Sequence, residues 1–481
     1  MIRFTKWAIW LYILLLIFEG ALRKWVLPGQ SQPLLIVRDP VLLLIYGLAL
    51  FAGIVPRTRF MLFLAVLALA SFCGAFLAGQ SNLWVTLYGL RSNYLHIPLI
   101  WVMAEALNRK DVEKIGIFFL IISVAMSVLM VMQFKAPIGS WINRGVGEDD
   151  LGQIYGAAGH IRPPGFFTFI TGPMVFFPLA TAFFLNAVNW KEQDWWRLPL
   201  LVVSGLAIAI ALPVSISLGA MISSLFVLGV YLLGLFKIGI LNISFLRFGV
   251  LGLLLVVALS FLPIFEEARV AFMDRWDTAA AEVQGDAVGS LVSRVTAAFS
   301  QPIDTIERTP TFGYGVGVGT NVGARLLAGR QGFLLAEDEW GRVIMELGPV
   351  LGISFIAFRF CLVVYLGLVA FRALRHDNDL LPLLIFSAAA WVILMNQWGQ
   401  ATQLGFAVVG GGLLLASVHR VEDEDEDEDG EESDDDDAEE EDDDEEENDS
   451  EEEEDSEEED SEEPSPETSE HEARRRRMRG L

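Results

Sequence analysis

Long apolar runs alternate with short polar breaks along this chain, and one break is far larger than the rest. Apolar stretches lie at about 7–22, 34–54, 60–78, 84–106, 115–134, 166–188, 198–212, 218–236, 246–264, 343–370, 380–396 and 404–418. Most reach the roughly 17–25 residues that span a hydrocarbon layer about 30 Å thick, with 198–212 and 404–418 the short ones. A spanning segment must satisfy its own backbone hydrogen bonds, so helices are the default. The pattern predicts an all-α polytopic membrane protein with about 12 transmembrane helices. Pro213 makes the seventh and eighth spans a tight pair. The first span opens on Arg3 and Lys6 like a signal peptide, but Glu19–Lys24 is a poor small-residue cleavage site, so it reads as a retained helix.

The outsized break, about 266–340, separates the ninth and tenth spans. It carries Arg269, Arg275, Arg294, Glu307, Arg308, Arg325, Arg330, Glu337, Asp338 and Glu339. Ionisable groups beside hydrocarbon are costly, which makes this cluster the first place to look for function. The plainer reading is a solvated linker between two bundles. The organisation that follows is residues 1–265 for helices one to nine, 266–342 for a large outer-face loop, 343–420 for helices ten to twelve, and 421–481 for a tail.

Composition agrees with the pattern: 53% of residues are hydrophobic and the mean hydropathy is +0.45. Lys and Arg in short connections set the orientation. With the N-terminus in the cytoplasm, Arg57, Arg59, Arg109, Lys110, Lys114, Lys191, Arg197, Lys237, Arg247, Arg372, Arg375 and Arg420 share its side, whereas loops 79–83, 213–217 and 397–403 carry no positive charge. Arg23, Lys24 and the long loops 135–165 and 266–340 are the exceptions, and long segments translocate largely regardless of charge. Both termini are then cytoplasmic. The net charge of −28 belongs to the tail, where residues 421–481 hold 38 acidic residues against five arginines. So polar a segment cannot build a core and should be disordered.

The chemistry is narrow. Cys73 and Cys361 both fall in spans, which excludes a disulfide framework. The five histidines have no metal-ligand spacing, and neither a phosphate-binding loop nor a nucleotide fingerprint is present, so no metal, cofactor or nucleic-acid partner is expected. Three outer-face segments remain. The first runs Gly159–Thr168 and carries His160 and Arg162 just before span six. The second, Thr309–Thr320, holds a Gly-x-Gly-x-Gly-x-Gly run that reads as a flexible turn, whose amides can approach an anion closely. The third, Glu337–Gly352, enters span ten.

In that order these segments resemble the O-antigen ligase and polymerase superfamily, integral-membrane glycosyltransferases that use undecaprenyl-diphosphate-linked glycans. The resemblance covers about residues 1–420. It rests on the span count, the loop position, Arg162-x-x-Gly165-x-Phe167, Pro310-x-x-Gly313-x-Gly315-x-Gly317, Glu346-x-Gly348 with Gly352, and the N-terminal Glu19–Trp25 segment. Two positions depart from the family: Glu337 and Asp338 stand where ligases place His-Asn, and Ser217-Leu218-Gly219 lacks an arginine.

The resemblance implies a GT-C-like bacterial inner-membrane protein. It would transfer a lipid-diphosphate-linked glycan donor onto a glycan or lipid acceptor, with the bilayer and polysaccharide-assembly proteins as further partners. Arg162 and Arg294 would clamp the diphosphate, since guanidinium suits bidentate phosphate recognition. Glu337 would act as base. Arg23, Lys24, His160, Arg308 and Asp338 would contact substrate. The alternatives are a secondary transporter or exporter of an anionic or polysaccharide substrate, which should show buried mid-span charge and broken helices, and an inactive scaffold. Arg91 and His96 are the main mid-span polar groups.

Overall fold

The structure is a computed structural model. It describes residues 1–146, 155–157, 160–189, 194–239, 304–329 and 332–419, with isolated positions between 266 and 302. The expected span 246–264, Arg275, Arg294, Arg330 and the acidic tail lie outside the described residues.

Residues 1–420 belong to one compact unit. Its helices are α1 (Ile2–Ala21), α2 (Arg38–Phe51), α3 (Arg59–Leu77), α4 (Leu83–Leu90), α5 (Leu99–Ala106), α6 (Arg109–Lys135), α7 (Thr171–Val188), α8 (Arg197–Val214), α9 (Leu218–Ile238), α10 (Asn321–Ala328), α11 (Glu339–Asp377), α12 (Leu381–Met395) and α13 (Ala401–Val418). A two-stranded antiparallel ribbon, β1 (Tyr155–Ala157) and β2 (His160–Ile161), precedes α7. Among the described residues, nine helices are long and apolar enough to cross a membrane, which makes this an all-α, multi-pass architecture. Of the other three expected spans, one is not described. Another, α12, is a shorter apolar helix of 15 residues.

The remaining one, span four, is broken. A π-helical turn, Arg91–Leu95, and a further turn before Pro98 divide it into α4 and α5. Single π turns inside helices recur at functional sites because they re-aim side chains. Span six begins at Thr171 rather than near 166, because Pro163–Ile170 runs as successive turns with Gly165 at φ +60°. Span ten begins at Glu339, four residues before its apolar run, because Asp338 caps it by accepting from Gly341 N at 2.6 Å.

Helix α13 is the centre of the bundle. It is 89% buried, against 28% for α8, which turns most of its surface outward. Without a hydrophobic drive between helices in lipid, close packing requires small residues. A Cβ on Gly410 would lie 2.7 Å from Ala389 Cβ, and one on Gly412 would lie 2.7 Å from Met103 Sδ. The glycines thus let α12 and α5 close on α13.

The two ends of the bundle are chemically distinct. At the end carrying the N-terminus, Lys6 pairs with Asp111 at 2.6 Å, and Arg109 pairs with both Glu113 and Asp379. The Arg109 amide donates to His419 O. Exposed Phe4, Trp7 and Trp195 lie toward this end. At the opposite end Trp84, Trp141, Phe312 and Tyr314 are exposed. Aromatic side chains at both ends are the usual mark of the two membrane–water boundaries.

Candidate functional site

Helix α11 carries a kink near its head. Gly348 has φ +82° and ψ 165°, and Pro349 follows. Proline has no N–H, so the Met345 carbonyl loses its helical donor. The glycine-rich segment replaces the missing donors: Tyr314 N donates to Met345 O at 2.8 Å and Gly315 N to Glu346 O at 3.1 Å. Gly313, Gly315 and Gly317 take φ of +70°, +100° and +92° to make this approach. A Cβ on Gly313 would stand 2.5 Å from Gly348 N and 2.6 Å from Glu346 O. The run expected to be a flexible turn is therefore pinned: its amides do approach an anion, but that anion is internal. Gly319 N donates to Glu346 Oε1 at 2.8 Å.

Below that contact lies a ring of four buried charges. Arg342 holds Glu339 through Nε at 2.8 Å and Nη2 at 3.0 Å, and Glu346 through Nη1 at 2.7 Å. Arg359 donates to Glu339 Oε1 at 2.6 Å, and Trp398 N to the same oxygen at 3.1 Å. Arg359 also donates to the Ile393 and Asn396 carbonyls and stacks over Trp398 at 4.1 Å. Two guanidiniums face two carboxylates, all fully buried. A carboxylate offers about four lone-pair directions, and Glu339 receives four donors. Three of them converge on Oε1 and one on Oε2, and two guanidiniums hold the group as a carboxylate. The ring ties the head of α11 to the α12–α13 connection and, through Asn93 Oδ1 at 3.1 Å, to the π turn of span four.

That π turn also reaches a second, uneven cluster. Arg91 pairs with Asp39 at 2.5 Å and 2.9 Å. His96 Nε2 lies 3.2 Å from the same carboxylate, with Tyr12 Oη 2.9 Å from its Nδ1. Glu19 takes Arg23 at 3.3 Å and Arg38 at 3.2 Å. Lys24 is fully buried and donates to Gly165 O at 2.8 Å and Phe167 O at 2.7 Å.

The residues expected at a site are scattered across this end. Lys24 meets the segment that follows Arg162, which is itself half-buried. His160 stacks on Phe134 at 4.1 Å. Arg308 is exposed. Asp338 is engaged as a helix cap. Glu337 is exposed, only its main-chain carbonyl is engaged, by Gln397, and it makes no ion pair among the described residues. Arg294 lies outside the described residues.

Glu339, Arg342, Glu346 and Arg359 were not expected from the sequence to form a unit. Two signals were present: the i, i+3 and i, i+7 spacing of the first three on one helix face, and an arginine at 359 inside an apolar run. No protein-family model matches the chain, and no curated protein matches it.

Proposed function

We propose that this protein is an O-antigen polymerase- or ligase-like glycosyltransferase of the bacterial inner membrane. It transfers a lipid-diphosphate-linked oligosaccharide onto a glycan or lipid acceptor at the outer face, which is the end opposite the N-terminus. The observation that supports the reading is that the segments carrying the resemblance pair off in space. Glu19–Trp25 meets Arg162–Phe167 through Lys24, and Pro310–Gly317 meets Glu346–Gly348 through the kink of α11. Arg162 then serves as a diphosphate clamp with Arg294. A fixed positive group stabilises charge growing on the departing diphosphate. Both buried carboxylates of the ring are taken by arginine, so a proton acceptor has to come from outside it, and exposed Glu337 is the nearest in sequence.

The deciding experiment compares lipid-linked glycans in cells with and without the gene. Accumulated single repeat units support a polymerase, accumulated long lipid-linked chains support a ligase, and an unchanged profile removes the reading. Arg162→Ala should insert normally and lower transfer by about 30- to 1000-fold, the effect of losing a charged transition-state hydrogen bond worth roughly 2–4 kcal/mol.

A second reading, a transporter of an anionic substrate, draws support from the broken span four and its buried Arg91 and His96. Discontinuous helices with buried charge are what transporter sites are built from. Uptake or export of labelled glycan by the purified protein in vesicles, without change in its length, is the result that favours it.

A further inference from the structure

The two buried charge clusters differ in balance, and the difference points to a ligand. The ring on α11 matches two arginines with two carboxylates and leaves neither carboxylate bare. Among the described residues, the cluster at the end of α1 and the start of α2 sets Arg23, Lys24, Arg38 and Arg91 against Glu19 and Asp39. All four cations are less than a tenth exposed. A buried charge without a counter-charge costs several kcal/mol per ion, and membrane proteins keep such groups where they bind something.

The donors also have spare capacity. Arg23 spends Nε on Ser31 O and Nη1 on Glu19, and its Nη2 makes no hydrogen bond among the described residues. Arg91 spends Nε and Nη2 on Asp39 and Leu35 O, which leaves Nη1. Arg38 leaves Nη1 without a partner, packed where a Cβ on Gly405 would stand, so Arg38 contributes field rather than a contact. Lys24 is held by two carbonyls. Tyr88 is half-buried beside Arg91 at 5.2 Å and interacts electrostatically with Arg23 as well, so both arginines neighbour one ring.

We propose that Arg23 and Arg91 form a phosphate-binding site, held open by Glu19 and Asp39, that takes the phosphate head of a lipid. The two carboxylates fix the guanidinium planes, and each plane presents one free NH2 edge. A phosphate or diphosphate supplies the missing negative charge, and arginine's fork matches its oxygens. Its residues are other than Arg162 and Arg294. A chain-extending transferase acts on two lipid-diphosphate substrates at once, so under the proposed function this cluster is the second of two head-group sites. Its phosphate chemistry does not depend on that function.

The test uses the full-length protein in phosphatidylcholine nanodiscs, titrated calorimetrically with inorganic pyrophosphate and, separately, with farnesyl diphosphate. A third preparation replaces a fifth of the lipid with phosphatidylglycerol and follows the unfolding midpoint. Saturable binding should weaken at least tenfold in Arg23→Gln and in Arg91→Gln and stay unchanged in Arg325→Gln, an exposed cation. Tighter binding of farnesyl diphosphate than of pyrophosphate identifies a lipid diphosphate as the ligand. A midpoint raised only by phosphatidylglycerol, and lost in the same variants, identifies a phospholipid head-group. Both outcomes support the phosphate site.

Where Arg91→Gln fails to insert, Arg23→Lys asks the same question. It keeps the charge and loses the fork, and binding should still weaken tenfold. Wild-type protein that responds to none of the three probes, or variants that bind as wild type does, overturns the proposal. Glycan synthesis that persists in a variant without binding overturns the role as second head-group site and leaves both the phosphate site and the proposed function standing. Wild-type binding that the variants lose, while cells lacking the gene keep a normal glycan profile, overturns the proposed function and leaves the phosphate site standing.

Discussion

Glu337 and Glu339 are separated by one residue at the head of α11 and have opposite surroundings. Glu337 is exposed, whereas Glu339 receives four donors from Arg342, Arg359 and Trp398. Removing one partner of a buried ion pair strands the other charge, which costs about 3–5 kcal/mol. Glu339→Ala should therefore lower the unfolding midpoint of detergent-purified protein sharply, and Arg359→Ala should do the same. Glu337→Gln should unfold like wild type and, if Glu337 is the base, lose turnover by about 10²–10⁴-fold. A Glu337→Gln protein with full transfer activity takes the base away from this residue. The existence of a charged cluster entering span ten was legible from composition alone. Which carboxylate faces inward was not, because it depends on where Asp338 caps the helix and so on its rotational register.

At the scale of elements, the glycine segment and the kink of α11 are one device. The kink frees carbonyls and the glycines deliver amides to them. Gly313→Ala would have to hold an L-residue at φ +70° and place a methyl 2.5 Å from Gly348 N. The left-handed conformation alone costs about 1–2 kcal/mol, and the clash adds to it. Gly329 shares the positive φ, +64°, at the end of α10, but nothing lies within 4 Å of its Cβ position. Gly329→Ala should thus lose only the conformational term. Thermal unfolding, together with limited proteolysis around residues 304–320, should show Gly313→Ala losing the docked segment and Gly329→Ala retaining it. Equal behaviour of the two variants means that conformational strain, not docking, dominates. The glycine spacing was visible in the sequence. Its partner was not, since a glycine run specifies what backbone shapes are allowed and not which surface uses them.

For the whole molecule, reporter fusions test the orientation. A fusion at Arg375 lies at the end of the bundle carrying Lys6, Asp111 and Asp379, and should report the cytoplasm together with one at Gly430. A fusion at Gly285 should report the outer side. A cytoplasmic signal at Gly285 would move the entire proposed site to the wrong compartment. Truncation after Glu422 removes the polyanion and leaves the compact unit, Met1–Arg420, whole. Insertion and glycan transfer per inserted molecule should survive. Normal insertion with no glycan product would instead give the acidic segment a part in the reaction.

Helical class and the nine long apolar helices among the described residues were determined by the sequence itself, because bilayer thickness and backbone hydrogen bonding act on each segment locally. So was the separation of a near-neutral bundle from an acidic tail, which is a matter of counting charges. The tertiary structure alone decided which charges balance and which do not. Glu339 meets Arg359 twenty residues away, Arg91 meets Asp39 across 52, and Lys24 meets Gly165 across 141. Such pairings follow from how helices cross and where span four breaks, and no local rule of periodicity or charge spacing encodes them.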